Sequence, residues 1–531
     1  MPTRHNHPRK SLIANLLPLI CVLCLASWSC RQTDVSPDTH PLILFGVDGA
    51  DWKVIEWMWD EGRLPNIKAL SERGIAAPLH TFHHASPVIW TTVATGVMPE
   101  VHGITEFVVP TVKGDQPVAS SLRRVPAMWN MLTATDKRVA VAGWWATWPA
   151  EEVNGVIISD RAVHGIEDSV WPPAFQDTYD EAFRRLREEE TGKDPITMLE
   201  ADRIIARSAI DFAGEGFDLT MVYVRGVDIS CHFNWKYFEP ENFPHIDPET
   251  LVLKRELIAR EYEFVDRTLG ELLAAAGPDT NVVMMSDHGF HAMDEEETKI
   301  LINFDLVLER LGFLTMTEDG VDLERTQLYS YASPNRSLTK HVRFALAGRD
   351  PGGQVPADQR SKIRRKLTRK LARVTYADQG TAFSVRDAGP DELDQGADFV
   401  VEVLTEGVQK PLRYSGKNIR GAIRSLTRLS GTHGRKTPGI FIAAGPDLQT
   451  KLTPTDLRVV DTTPTILYAL GLPVGENFAG RARTELFTEE FRTNHALQTI
   501  PTWGEPTDGE NRASEVDEEL VDQLKALGYI E

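Results

Sequence analysis

PLILFGVDGA, residues 41–50, contains a continuous apolar run over Leu42–Val47, which Asp48 and Gly49 follow. A run without polar alternation is typical of a strand buried on both faces. Similar runs recur at 139–142, 156–158, 219–224, 282–285, 399–404 and 439–444. Helical stretches separate several of them, and the clearest is Leu251–Ala276, which Gly277 and Pro278 end. The pattern predicts an α/β fold with a mostly parallel central sheet and helices on both faces.

The composition of the 531-residue chain is that of a large folded protein. Hydrophobic residues make up 42% and charged residues 25%, which argues against global disorder. The formal net charge is −20, whereas a dedicated nucleic-acid-binding protein needs a basic face, so we expect no nucleic-acid-binding surface. Net acidity does not exclude a phosphate substrate, because bound cations can reverse the sign of the local field.

The first thirty residues have the pattern of an export signal. Three basic residues precede an apolar run over 12–26, and this run is shorter than the roughly 20 residues that span a bilayer. Cys30 resembles the lipidated cysteine of a bacterial lipoprotein, although Ser27 and Trp28 depart from the usual motif. We therefore expect an exported protein of the bacterial periplasm or cell envelope. It would be either released after cleavage or anchored to the membrane through Cys30.

The folded part is expected to be one α/β domain that an insertion interrupts and caps. Within the insertion, residues 360–373 carry eight basic side chains and have apolar residues along one face. A solvated amphipathic helix is favoured there over a phosphate-steering patch. The expected segments are an export signal at 1–29, a polar tether at 30–40, the catalytic domain at 41–291 and 396–482, the insertion at 292–395, and an acidic tail with a final helix at 483–531.

Acidic and histidine residues collect at the ends of the apolar runs. They are Asp48, Asp228, His232, Asp287, His288 and His433. In open α/β sheets, sites form outside the carboxyl ends of the strands. The aspartates follow such runs, and we expect them to gather at one edge of the sheet.

The spacing of two pairs supports a shared site. Asp228 and His232 are four residues apart, so one helical turn places both on one face, as shared metal coordination requires. Asp287 and His288 would point to opposite faces of a regular strand. They can converge only if the chain leaves strand geometry there, which Gly289 makes easier.

A further segment, residues 85–104, reads ASPVIWTTVATGVMPEVHGI. Together with the Asp/His set, the DTTPT at 461–465 and the GLP at 471–473, it resembles the alkaline phosphatase superfamily. Within that superfamily the chain is most similar to the type I phosphodiesterase/nucleotide pyrophosphatase family. The resemblance covers roughly residues 41–482 and implies an alkaline phosphatase-like fold.

The resemblance also implies a site with two divalent metal ions. It puts Asp228, His232 and His433 on one ion, and Asp48, Asp287 and His288 on the other. It puts Ser86 between substrate and metal, as the nucleophile and as a seventh residue that contacts the metal. The diesterase branch usually has threonine at the position of Ser86, and alkaline phosphatases have serine; either hydroxyl can attack. Mixed histidine and aspartate ligands favour Zn²⁺, with Mn²⁺ or iron as alternatives.

Such a site is suited to the cleavage of phosphate esters. A coordinated cation lowers the pKa of a serine hydroxyl, and two ions about 4 Å apart can hold the attacking and leaving oxygens of an in-line displacement. A covalent phosphoserine at Ser86 would follow, and water would release phosphate. We therefore expect an exported two-metal hydrolase of phosphodiesters or phosphomonoesters. For Ser86 the structural alternative is that it caps a helix beginning near Pro87.

The same residues bear on three other functions: a sulfatase, a phosphate-group transferase and a non-catalytic binding protein. A sulfatase needs proline and arginine at the positions of Val88 and Trp90, so a sulfatase activity is excluded. A phosphate-group transferase acting on envelope lipids or glycans would use the same Ser86 and stays open. A non-catalytic anchored binding protein should lack a ligand or the nucleophile, and none of the seven residues is missing. Family diesterases commonly carry an asparagine shortly after His-Gly-Ile, where Thr105–Phe107 stands here, so monoesters stay open as substrates.

Several nearby residues are interpreted as structural. His102 is expected to form hydrogen bonds near a turn rather than to bind a metal. The tryptophans Trp144, Trp145 and Trp148 are favoured as core or rim residues over nucleobase-stacking residues. Cys231, between two predicted ligands, is interpreted as a packed thiol.

Overall fold

A nine-stranded sheet forms the centre of the protein. The computed structural model describes residues 39–531 apart from 112–113, 190–197, 244–245, 318–319, 332–337, 377–378, 395, 405–410, 528 and 531. The predicted signal, Cys30 and nearly all of the tether therefore lie outside the described residues. The strands of the sheet, β1 to β9 in chain order, are Leu42–Val47, Ile75–His80, Val139–Ala142, Gly155–Ile158, Val170–Trp171, Leu219–Val224, Asn281–Met285, Gly439–Ala444 and Leu457–Arg458.

The order of strands across the sheet is β9-β2-β8-β7-β1-β6-β3-β4-β5. The five strands from β7 to β4 in this order are all parallel. Strand β8 runs antiparallel to both β7 and β2, so β2 has the same direction as β1. The α/β class with a mostly parallel sheet is confirmed.

Helices cover both faces, and the strands alternate between two cores. On β1, Leu42 and Leu44 belong to one core, while Ile43 and Phe45 belong to the other. This is why the run is apolar at every position rather than at every second one. The first core contains the helices Ser86–Thr95, Met128–Thr133 and Thr462–Ala469. The second contains Trp52–Asp60, Pro65–Arg73, Gln176–Glu189, Met198–Ala213, Gly226–Phe238 and Pro248–Ala276.

A third core lies in the insertion, which an antiparallel ribbon of His291–Ile302 and Ile423–Thr432 joins to the main body. Its four-stranded sheet has the order Leu328–Tyr331, Thr339–Phe344, Phe399–Val403 and Phe383–Arg386. A second small sheet contains Gln379–Thr381, Val374–Tyr376, Leu412–Tyr414 and Lys417–Asn418, and the helices are Phe304–Arg310, Arg360–Leu371 and Pro390–Asp394.

One strand is in a different sheet from the one expected. The run 399–404 was expected in the central sheet, but Phe399–Val403 pairs with Thr339–Phe344 in the insertion. An apolar run does not specify its pairing partner, so this expectation was wrong. The domain boundaries remain predictions. Because the third core includes Ala422 and packs against Ile423, we propose that the insertion continues beyond 395 to about residue 423.

The three predicted helices are present, and the one expected at Leu251–Ala276 is Pro248–Ala276. Residues Arg360–Leu371 bury Ile363, Leu367 and Leu371 and expose most of their basic side chains, which confirms an amphipathic helix. The final helix is Asp517–Leu527, and it buries Leu520, Val521 and Leu524 against the body. Among the described helices, none combines the length and apolar character that crossing a bilayer requires.

Candidate active site

The directions of the strands explain why the predicted residues meet. Asp48 directly follows β1, and Asp287 and His288 lie just beyond the end of β7. Strands β1 and β7 are parallel, so these residues leave the sheet at the same edge. Because β8 runs against β7, the start of β8 also lies at this edge, and the loop before it carries His433 to the same place.

Asp228 and His232 occupy one face of the helix Gly226–Phe238, as their spacing predicted. The Asp228 Oδ1 atom lies 3.5 Å from His232 Nε2. On the other side of the ring, His232 Nδ1 lies 3.1 Å from the carbonyl oxygen of Gly431. A carbonyl only accepts, so Nδ1 carries the proton and Nε2 presents its lone pair to Asp228 and its neighbours.

The chain does leave strand geometry after β7, and Gly289 is needed for this turn. A Cβ atom at Gly289 would lie 2.4 Å from Asp51 Oδ2 and 2.7 Å from the carbonyl oxygen of Pro438. The Asp51 carboxylate instead accepts a 2.8 Å hydrogen bond from the Phe290 amide. Because Gly289 has no side chain, its backbone can lie close to Asp51 and Pro438. This turn lets the side chains of Asp287 and His288 point into the same site.

The predicted ligands form two overlapping groups. The ligand atoms of Asp228, His288 and His433 lie within 4.8 Å of one another, and so do those of Asp48, Asp287 and His288. His288 is common to both groups, and its ring stacks on that of His433 with centroids 3.5 Å apart. The resemblance instead puts His232 with Asp228 and His433, and it puts His288 only in the group with Asp48 and Asp287. Which ligands share an ion therefore stays a prediction.

Several buried atoms in these groups have no hydrogen-bond partner among the described residues. They are Asp228 Oδ1, Asp287 Oδ2, His288 Nε2 and His433 Nδ1. Buried polar atoms are rarely left unsatisfied in folded proteins. His288 Nε2 faces two carboxylates, at 3.4 Å from Asp287 Oδ2 and 3.5 Å from Asp48 Oδ1. Imidazole nitrogens and carboxylate oxygens are the ligands that divalent metals such as zinc accept, so the donor set fits such ions.

The electrostatics of the cluster also favour a bound cation. Burial, reinforced by the neighbouring Asp287, raises the pKa of Asp48 well above its ordinary value. Burial likewise raises the pKa of Asp228 strongly and that of Asp287 to about 7. Burial lowers the pKa of His288 to about 3, and burial beside His288 lowers the pKa of His433. Metal ions bind neutral imidazoles and ionised carboxylates, so a bound cation would offset the cost of burying these carboxylates side by side.

Ser86 lies at the edge of this cluster and is 1% exposed. It is the first residue of the helix Ser86–Thr95, whose N-cap is Ala85, and in the described structure no side chain caps this helix. The structural alternative of a capping serine is therefore wrong. The Ser86 hydroxyl instead donates to Asp48 Oδ1 across 3.4 Å. This contact places a hydroxyl beside the group formed by Asp48, Asp287 and His288.

The sequence model of the type I phosphodiesterase / nucleotide pyrophosphatase family matches residues 42–435. The chain belongs to this family. Family membership confirms the resemblance that the motifs indicated and identifies the protein as a phosphodiester hydrolase of the alkaline phosphatase superfamily. Among curated proteins, no sequence matches this family member significantly.

Solved structures of ectonucleotide pyrophosphatases are similar to this family member. The murine ectonucleotide pyrophosphatase/phosphodiesterase 5 aligns at 13% identity over 84% of this chain and 100% of its own, with a TM-score of 0.44. The human protein aligns at 12% identity over 85% of this chain and 100% of its own, with a TM-score of 0.41. An inactive murine variant in complex with AMP aligns at 13% identity over the same shares, with a TM-score of 0.43.

Two tyrosines lie beside the cluster that the sequence analysis did not predict as site residues. The Tyr223 hydroxyl donates to Asp48 Oδ2 and accepts a 2.7 Å hydrogen bond from Trp145 Nε1. The Tyr529 hydroxyl donates to Asp228 Oδ2, from a position 301 residues further along the chain. Tyr223 lies in the apolar strand β6, where an aromatic residue is ordinary, and no local motif marks Tyr529.

The residues that were interpreted as structural are buried in the fold. Trp144, Trp145 and Trp148 are all buried, and Cys231 is a buried free thiol. His102 is buried as well, and its Nδ1 accepts a hydrogen bond from the Ile104 amide while Nε2 contacts the Thr92 hydroxyl.

Proposed function

We propose that this family member is an exported two-metal phosphodiesterase in which Ser86 attacks phosphorus. The observation that carries the proposal is the convergence of the Ser86 hydroxyl with unsatisfied, buried imidazole and carboxylate atoms from distant parts of the chain. Family membership supports a phosphodiester as the substrate class. The chemistry would be carried by the residues at the edge of the sheet rather than by the insertion.

Six side chains would hold the ions. Asp48, Asp287 and His288 would hold one ion, and Asp228, His232 and His433 the other. Zinc suits this nitrogen and oxygen set best, and manganese or iron are alternatives. When bound, the two ions supply positive charge that lowers the pKa of the attacking hydroxyl and balances charge on the phosphoryl oxygens.

The chain itself orients the nucleophile. The Asp48 carboxylate accepts the hydrogen bond of the Ser86 hydroxyl and so fixes the direction of its oxygen. The amino end of the helix Ser86–Thr95 adds a favourable dipole for an anionic phosphate beside this oxygen. The Ser86 oxygen forms a bond to phosphorus while the bond to the leaving oxygen breaks, and the proton that the Ser86 hydroxyl gives up ends on the released alcohol. Water then hydrolyses the phosphoserine and restores the hydroxyl.

The experiment that tests this function is a substrate panel with the zinc-loaded protein. Aryl phosphate diesters, aryl phosphate monoesters and an aryl sulfate are compared, with the Ser86→Ala variant as the matched control. We expect the diesters to be cleaved fastest, with loss of activity in a chelator and recovery with zinc. Comparable cleavage of the sulfate ester, or no phosphoester cleavage by a zinc-loaded protein, would overturn the proposal. Adding an alcohol acceptor and analysing the products separates hydrolysis from phosphate-group transfer.

The export signal and the lipid anchor at Cys30 belong to the same proposal. They are supported by the sequence of the first thirty residues alone. An anchor at Cys30, followed by the short polar tether, would hold the hydrolase next to the membrane of the cell envelope. Without the anchor, cleavage would release it into the periplasm.

A further inference from the structure

The carboxylate of Asp228 is contacted from two sides. Its Oδ1 atom faces the imidazoles, at 3.5 Å from His232 Nε2 and 3.9 Å from His433 Nε2. Its Oδ2 atom accepts the hydrogen bond of the Tyr529 hydroxyl. The tyrosine therefore occupies the oxygen that is turned away from the predicted ligands and leaves the other oxygen to them.

The same arrangement is repeated at the other group. Asp48 Oδ1 lies 3.4 Å from Ser86 Oγ and 3.5 Å from His288 Nε2, and Asp48 Oδ2 accepts from the Tyr223 hydroxyl. Each group thus contains an aspartate whose outward oxygen is held by a tyrosine. Tyr223 belongs to a central strand, whereas Tyr529 comes from the segment that follows the last helix.

The ring of Tyr529 is held firmly in place. It stacks on Phe107 with ring centroids 5.2 Å apart and planes within 6°. It also packs edge-to-face with the His232 ring, with centroids 5.7 Å apart. Its amide donates to the carbonyl oxygen of Leu524 in the final helix. Phe107 is itself buried, so it gives the Tyr529 ring a fixed surface to pack on.

The final helix is itself anchored to the body. Its first residue, Asp517, pairs with the buried Arg161 at 3.1 Å. The Arg161 guanidinium also donates to the carbonyl oxygens of Pro117 and Val118. Removing one partner of a buried ion pair is in general strongly destabilising. This anchoring favours a fixed position for the final helix and Tyr529 beside the site. It does not favour a segment that leaves the site before each turnover.

We propose that Tyr529 is a positioning residue that orients Asp228 as a metal ligand, so that the C-terminal segment completes the active site. The inference rests on the proposed function, because it takes Asp228 as a ligand. Hydrogen-bond partners of ligating side chains fix their orientation, and losing one typically lowers metal affinity or activity by about 10- to 100-fold. The competing role is an inhibitory plug, in which Tyr529 would have to leave the site before substrate binds.

The test uses the Tyr529→Phe variant of the full chain, which keeps the ring contacts and removes only the hydroxyl. The matched control is Tyr468→Phe, since Tyr468 donates to the carbonyl oxygen of His495 away from the cluster. Zinc affinity is measured by competition with a chromophoric chelator, and the visible spectrum of the cobalt-loaded protein reports ligand geometry. We expect Tyr529→Phe to bind one of two ions about tenfold more weakly, with an altered cobalt spectrum and reduced turnover, and the control to match the unmodified protein.

Three results would overturn the inference. Equal zinc affinity and equal cobalt spectra in the two variants would show that the hydroxyl does not position a ligand. Higher turnover in Tyr529→Phe would identify a plug. In both cases the proposed function stands as long as the unmodified protein binds two ions and cleaves phosphodiesters. If the unmodified protein binds no zinc, cobalt or manganese, both the inference and the proposed function fail together.

Discussion

His232 Nδ1 donates a hydrogen bond to the carbonyl oxygen of Gly431 across 3.1 Å, which ties the helix Gly226–Phe238 to the strand Ile423–Thr432. The contact depends on the absence of a side chain at Gly431. A Cβ atom there would lie 2.5 Å from the carbonyl oxygen of Cys231 and 2.8 Å from Trp235 Cβ. A glycine two residues before His433 thus sets the distance between two predicted ligands.

Gly431→Ala should separate this helix and strand, because the added methyl group meets backbone that cannot rotate away. We expect the free energy of unfolding to fall by about 1–3 kcal/mol, as in other overpacked sites, and the zinc content to fall from two ions to one. Urea unfolding and zinc analysis measure both. Gly434→Ala is the matched control, since nothing lies within 4 Å of a Cβ atom there. Equal behaviour of the two variants would contradict the assignment.

His433→Ala should remove one of two bound zinc ions and leave the other. Its Nε2 lies 3.9 Å from Asp228 Oδ1, and its stacked neighbour His288 belongs to both groups. Zinc analysis after dialysis gives the stoichiometry. The exposed His80, whose Nε2 contacts the carbonyl oxygen of Thr455, provides the control variant His80→Ala. Two tightly bound ions in His433→Ala would show that His433 is not a ligand.

The sequence predicted the mostly parallel sheet and the gathering of the aspartates at one of its edges. Asp48 and Asp287 each follow a buried apolar run, and parallel strands end at the same edge. The place of His433 depends on β8 running against β7, and no local pattern reports strand direction. The strand Phe399–Val403 was misplaced for a related reason, since pairing partners are chosen by tertiary packing. Tyr529 was missed because its contact with Asp228 joins residues 301 positions apart.

The structural role of His102 can be tested by measuring how the stability of the fold depends on pH in the acidic range. Burial lowers its pKa to about 3, and its Nδ1 accepts from the Ile104 amide, so the ring is neutral in the fold. The unfolded chain takes up a proton below pH 6.5 while the folded protein does not. Stability should therefore fall with pH between about 6 and 4, by up to about 1.4 kcal/mol per pH unit from this group.

The comparison is made with His102→Asn, whose side-chain oxygen can still accept from the Ile104 amide. Urea unfolding of both metal-free proteins at several pH values gives the difference in the free energy of unfolding. We expect the unmodified protein to lose stability more steeply as the pH falls. Parallel curves would mean that His102 takes up a proton as readily in the folded protein as in the unfolded chain, which would contradict the lowered pKa.

The amino terminus can be tested in cells. If Cys30 is the acylated first residue of the mature protein, Cys30→Ala should leave uncleaved precursor or move the protein out of the membrane fraction. Mass spectrometry of the mature protein identifies its first residue directly. A mature chain that begins at any other residue would rule out lipidation, without bearing on the hydrolase activity.

The most direct test of the account is the turnover of an aryl phosphodiester by zinc-loaded Ser86→Ala. Deleting the nucleophile removes the route through phosphoserine but leaves the six predicted ligands, so both ions should remain bound. We predict a loss of turnover of about 1,000-fold or more, with residual activity from water and little change in stability, since Ser86 caps no helix in the described structure. Ser86→Thr should be far milder because it keeps a hydroxyl. A stable Ser86→Ala protein with two bound zinc ions and near-normal turnover would contradict the account.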